Sequence, residues 1–297
     1  MNECMVRSDG VELAAEAFGD PAKPPVLLIM GGMASMLWWP EEFCTRLAER
    51  GRFVIRYDQR DTGLSTKYPP GQPGYSFDDS VDDVFRVLDG YGISAAHIVG
   101  FSLGGMAGQG AALKRRERVL SLTTISTSPI GVDTSHCPAS GEAWMEHMQM
   151  DVDWSDRAEV IAYMVEEARL VASTAHPFDE AETKAFIERD FDRSGGYLSA
   201  TNHSVLINVG EAWQGKLRQS KVPLLVIHGT ADPVFPPEHG TTLAQAVAGA
   251  RLVRLEGGGH ELHKSDWDTI IGAIVEHTSD HASDQSQHTL DKGGRIP

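Results

Sequence analysis

The sequence predicts an α/β fold: a mainly parallel sheet covered on both faces by helices, carrying one helical insertion. Three observations lead there. Short continuous apolar runs, the mark of strands buried on both faces, recur as Val26–Met30, "FVI" (53–55) and "LLVI" (224–227). They alternate with amphipathic stretches of helical length, the βαβ rhythm of a parallel sheet. The rhythm breaks near Pro129, gives way to polar helical sequence over 130–219, and then resumes.

The elements follow in order. "VELAAEAFGD" (11–20) reads as a strand ending in a turn, and "PPVLLIMGG" (24–32) as a buried strand ending in glycines. "PEEFCTRLAERG" (40–51) reads as a helix, with Pro40 at its start, acids in the first turn and Gly51 as its stop. "RFVIRYD" (52–58) is a second buried strand. "FDDSVDDVFRVLDGYG" (77–92) is an amphipathic helix with Val81, Val84, Phe85 and Leu88 on one face. "AAHIVGFSLGG" (95–105) is a strand running into a glycine-rich turn. The helix after it carries its cations at the C-terminal end, where the helix dipole favours them. "LSLTTISTS" (120–128) is another strand. After the insertion come "VPLLVIHG" (222–229), a strand; "EHGTTLAQAVAG" (238–249), a helix; "ARLVRLEGGGH" (250–260), a strand; and "DWDTIIGAIVEHT" (266–278), a helix. The expected division is a core of 1–129 and 220–278, an insertion of 130–219, and a disordered tail of 279–297 with few apolar residues.

Length and composition exclude several classes. At 297 residues, with 41% apolar and 23% charged residues, the chain suits one large globular domain with an insertion. A formal net charge of −16 argues against nucleic acid as a partner, because phosphate binding wants a basic surface. Cys4, Cys44 and Cys137 form no metal or disulfide pattern. No apolar stretch approaches a membrane span, and the first twenty residues do not read as a signal peptide. A cytoplasmic protein with no membrane partner is expected.

The chemistry is carried by three stretches. In "GFSLGG", Ser102 follows a buried strand and precedes a helix, with Gly100, Gly104 and Gly105 leaving room for a sharp turn. A serine hydroxyl needs a base, and the base needs an orienting acid. "IHGTADPVFP" puts Asp232 just past a buried strand, and "RLEGGGHELH" puts His260 just past the next. All three follow carboxyl ends of strands in one parallel sheet, the edge where ligands bind in such folds. Asp133, after the strand ending at Ser128, is a rival acid with looser spacing, and His263 is a rival base. His228 reads as structural. So do Asp58 and Arg60, which are expected to fix their loop.

With "YDQRDTGLS" (57–65), these motifs resemble the α/β-hydrolase fold family over about Val11–Thr278. Asp61 replaces the first glycine of the family's D-x-R-G-x-G-x-S pattern. The resemblance implies an eight-stranded sheet with a helical cap between strands six and seven. "IMGGMASMLWWPEEF" and "RYDQRDTGLST" further resemble polyketide methylesterases acting on aclacinomycin-type anthracyclines. There, as here at Met30, methionine takes the place of the commoner histidine of a His-Gly pair.

The expected reaction is hydrolysis of a carboxylic ester through Ser102, His260 and Asp232. The N–H groups of Gly32 and Leu103 serve the oxyanion, and Met33 is the alternative to Gly32. No metal or other cofactor is expected. Met33, Trp38 and Trp39, with Met36 nearby, are expected to line a pocket for a bulky apolar or aromatic small-molecule ester, since methionine adapts in shape and tryptophan offers flat area. Perhydrolysis, C–C bond hydrolysis and amide hydrolysis on the same triad are alternatives, as is a ligand-binding sensor on a hydrolase scaffold.

Overall fold

A computed structural model describes residues 3–206 and 213–280 of the chain. Eight strands form one sheet: β1 (Cys4–Ser8), β2 (Val11–Phe18), β3 (Pro25–Ile29), β4 (Phe53–Tyr57), β5 (Ala96–Phe101), β6 (Val119–Ile125), β7 (Leu224–Gly229) and β8 (Arg251–Leu255). Their spatial order is β1-β2-β4-β3-β5-β6-β7-β8. β2 pairs antiparallel with both β1 and β4, and the remaining pairs are parallel. The strand β1 is absent from the reading of the residues. It is a short, partly exposed edge strand with only three apolar residues, Cys4–Val6, too few to mark a strand, and its pairing with β2 gives it strand character.

Strand side chains alternate between the two faces. Leu27, Ile29, Ile98 and Val226 enter one apolar core, built with the helices α2 (Phe77–Gly90), α3 (Leu103–Lys114) and α8 (Pro237–Ala246). Val26, Leu28, Val99, Leu225 and Ile227 enter the other, closed by α1 (Glu41–Glu49) and α9 (Trp267–Asp280). The helix α2 starts at a reciprocal cap in which Ser76 and Asp79 each satisfy the other's backbone N–H. The helix α9 includes Ser279 and Asp280, two residues of the expected tail; the rest of that tail lies outside the described residues.

Between β6 and β7 lies the helical cap: α4 (Glu142–His147), α5 (Arg157–Leu170), α6 (Glu180–Ser194) and α7 (His203–Leu206). It has its own small core around Val160, Met164, Ile187 and Tyr197. Among the described residues, no helix is long and apolar enough to cross a membrane.

Candidate active site

Ser102 stands between β5 and α3 with φ 50° and ψ −121°, a conformation that non-glycine residues adopt only under constraint. The constraint is visible. The Ser102 N–H donates to Ile125 O at 2.9 Å, and its carbonyl accepts from the Thr127 hydroxyl at 2.6 Å. The turn is so tight that a Cβ on Gly100 would lie 2.2 Å from Gly104 O. Leu103 opens α3, so its N–H is one of the helix's unpaired first-turn donors, at the positive end of the dipole.

Asp232 follows β7 and is almost fully buried. Its Oδ1 accepts the N–H groups of Val234 and Phe235, both at 2.9 Å, and its Oδ2 receives His260 Nδ1 at 2.8 Å. Burial works against its ionisation, but His260, His228 and the backbone donors outweigh it, and the carboxyl sits below its ordinary range. Asp232 as acceptor places the His260 proton on Nδ1 and leaves Nε2 as the basic nitrogen.

The His260 ring lies between Phe101, next to Ser102, and Phe235, close to Asp232, with centroids 5.0 and 5.8 Å away. The loop carrying it is pinned to the cap through His260 N–H to Val171 O at 2.8 Å. Gly259 has to be glycine for this approach, because a Cβ there would meet Val171 O at 2.1 Å.

Ser102 and His260 line one cavity of about 1080 Å³, enclosed between the sheet edge and the cap. Gly32, Met33 and Leu103 line it as well. The Met33 N–H is already engaged by His203 Nδ1 at 3.0 Å, so Gly32 is the better placed donor of the two. Trp38 borders the cavity edge-on to Phe186, and its Nε1 donates to Asp190 at 2.9 Å.

Trp39 corrects the sequence expectation: it does not line the cavity. The short 3-10 turn Met36–Trp38, capped by the Ser35 hydroxyl, sends Trp38 and Trp39 in different directions. Trp39 is fully buried beside Phe43, and its carbonyl accepts from Arg56. Met36 is likewise fully buried.

The rival residues have other partners. Asp133 is exposed and accepts the N–H of Ser135. His263 borders the cavity but caps the turn before α9 and stacks on His176. His228 Nε2 meets Phe235 O at 2.7 Å. Asp58 accepts the N–H groups of Met36 and Leu64 and an Arg193 contact, while Arg60 forms a bidentate pair with Asp83. Asp61, where the resembled pattern has glycine, adopts the left-handed φ of 68° that glycine favours. Its carboxylate binds Tyr68 N–H, the Tyr75 hydroxyl and Asn202, which offsets the strain.

Three residues at the site escaped the sequence reading. Gln59 and His203 hold the loop that carries Gly32. Glu167 is a cavity-lining acid on α5, whose burial raises its pKa against the pull of His260 and Trp144. For Glu167 a signal existed: Met164, Glu167, Ala168 and Val171 share the cavity face at helical spacing, and one of them is an acid.

This strand order, with a serine elbow and an Asp–His pair at the carboxyl edge, defines an α/β hydrolase. The chain belongs to the alpha/beta hydrolase fold family, whose model matches residues 24–266. It is 34% identical over 289 residues to the rhodomycin D methylesterases DauP of Streptomyces sp. (strain C5) and DnrP of Streptomyces peucetius, covering 92% of this chain and 97% of each relative. Among solved structures it is similar to the enol-lactonase from Burkholderia xenovorans LB400. That match has a TM-score of 0.73 and 24% identity, over 93% of this chain and 100% of the other, a likeness of fold.

Proposed function

We propose that this α/β-hydrolase ester hydrolase works through Ser102, His260 and Asp232 by way of an acyl-enzyme. The observation that carries the reading is the 2.8 Å His260–Asp232 contact at the cavity that Ser102 also lines. His260 Nε2 takes the Ser102 proton as Oγ attacks the ester carbonyl. The N–H groups of Gly32 and Leu103 stabilise the resulting oxyanion. The C–O bond to the alcohol then breaks, and His260 returns the proton to the leaving alkoxide. Water, deprotonated by His260, attacks the acyl-enzyme; collapse breaks the bond to Ser102 Oγ, which takes the proton back from His260, and frees the acid.

For the substrate we favour a methyl ester of a bulky aromatic molecule. The names of the 34% identical relatives support it, as does the cavity, whose volume lies at the upper end for small-molecule sites. Met33, Trp38, Met148, Met164 and Phe186 give it apolar walls. The segment 130–219 is the part that encloses the substrate. The test is turnover of p-nitrophenyl esters with a product burst, followed by a comparison of aromatic methyl esters. A Ser102→Ala variant that turns these esters over at the parent rate would exclude the covalent route through Ser102.

A further inference from the structure

Resting on the reading of Ser102 as nucleophile, we propose that Gln59 and His203 are positioning residues that clamp the Gly32 N–H in place from two sides.

In a trans peptide the C=O and the following N–H point in opposite directions. Gln59 Nε2 donates to Met30 O at 2.8 Å and to Gly31 O at 3.2 Å. The Gly32 N–H, across the peptide from Gly31 O, therefore points away from Gln59. This loop lies directly against the nucleophile: a Cβ on Gly31 would sit 3.3 Å from Ser102 Cβ.

The next peptide is held from the cap. Met33 N–H donates to His203 Nδ1 at 3.0 Å, and Met33 keeps a left-handed φ of 61°. A methionine stays in that conformation only when its surroundings over-determine it. His203 is itself fixed. Accepting at Nδ1 places its proton on Nε2, which donates to Arg60 O at 2.8 Å. Arg60 is locked on Asp83 at 2.7 and 2.8 Å. Asn202, one residue before His203, binds Asp61 at 3.0 Å and Gly71 N–H at 2.7 Å. Burial keeps His203 below the ordinary histidine range, so it remains a neutral acceptor.

Without these two side chains, the consecutive glycines 31 and 32 would be free to rotate the donor away. An oxyanion donor acts through its preorganisation, so a small displacement is costly in the transition state and nearly silent in substrate binding. The cap thus completes the oxyanion hole besides covering the substrate.

The experiment compares His203→Leu, His203→Asn and Gln59→Leu, with p-nitrophenyl butyrate as substrate and phenylboronic acid as transition-state mimic. Folding is checked by circular dichroism. We expect His203→Leu and Gln59→Leu to lose about 10–100-fold in kcat. KM should stay within about twofold while boronic acid affinity falls alongside kcat. His203→Asn, whose Oδ1 can stand in for Nδ1, should recover most of the loss. Folded His203→Leu with kcat within about twofold of the parent overturns the clamp. So does a loss spread equally over kcat and KM that Asn does not rescue. If His203→Leu does not fold, Gln59→Leu and the Asn variant decide by the same criteria. Ser102→Ala separates the two readings: an active Ser102→Ala variant removes the nucleophile itself, whereas an inactive one beside a normal His203→Leu removes only the clamp.

Discussion

His260 Nδ1 and Asp232 Oδ2 are 2.8 Å apart, joined across 28 residues of sequence at the carboxyl ends of neighbouring strands. Asp232→Asn should therefore lose most activity, because an amide cannot stabilise the imidazolium and favours the wrong tautomer. A fall in kcat on the order of 10⁴-fold is expected. Asp133→Asn should leave kcat/KM unchanged; the reverse pattern would move the acid to the loop after β6. The depressed Asp232 pKa also has a sign. Its stabilising contribution is present above the unfolded carboxyl value and is lost only as pH falls through the lower folded value. Acid titration of Asp232, followed by NMR, should thus begin below the ordinary aspartate range.

Ser102→Ala should abolish ester hydrolysis with the fold intact, a loss on the order of 10⁴-fold or more in kcat. A fluorophosphonate probe should label the parent protein at Ser102 alone. Peptide mapping that finds the adduct elsewhere would remove the assignment.

His260→Ala should be nearly inactive and His263→Ala nearly normal. The His263 side chain caps the turn leading into α9 and stacks on His176, with centroids 4.3 Å apart, whereas His260 holds Asp232. Steady-state kinetics of the two variants decides between them.

Trp38 and Trp39 should separate in the same way. Trp39→Ala removes a fully buried ring from the core and should cost about 3–5 kcal/mol in denaturant unfolding. Trp38→Ala should cost less stability and raise KM for bulky aromatic esters over small ones. Equal effects on both quantities would return Trp39 to the cavity wall.

Glu167 gives a pH-dependent stability. Its folded pKa is raised by burial, with His260 and Trp144 opposing, so its contribution is fully present below the unfolded glutamate value and is lost as pH rises through the folded one. Glu167→Gln, neutral throughout, should therefore melt above the parent protein at neutral pH. The difference should shrink toward zero near pH 4 or below, around the ordinary glutamate value of about 4.3. A variant that melts below its parent at neutral pH would contradict this.

The α/β architecture, the place of the cap and the three candidate triad residues were all legible in the order of the residues. The architecture and the cap rest on the strand–helix rhythm and its break near Pro129, and the triad candidates on strands that end in turns at Ser102, Asp232 and His260. A parallel sheet turns such local ends into a common edge, so their gathering at one end of the sheet follows from topology. Other features come from long-range packing that local patterns do not encode. The edge strand β1 exists through its pairing with β2. Trp38 and Trp39 are alike in sequence, and a single 3-10 turn sends one to the cavity and the other to the core. His203 lies in the unremarkable run "TNHSV" and reaches Met33 across 170 residues. A hydrogen bond of that span has no periodicity to betray it. It arises only when the cap folds back over the sheet edge and a partly buried N–H takes the nearest acceptor, because leaving it unpaired would cost more.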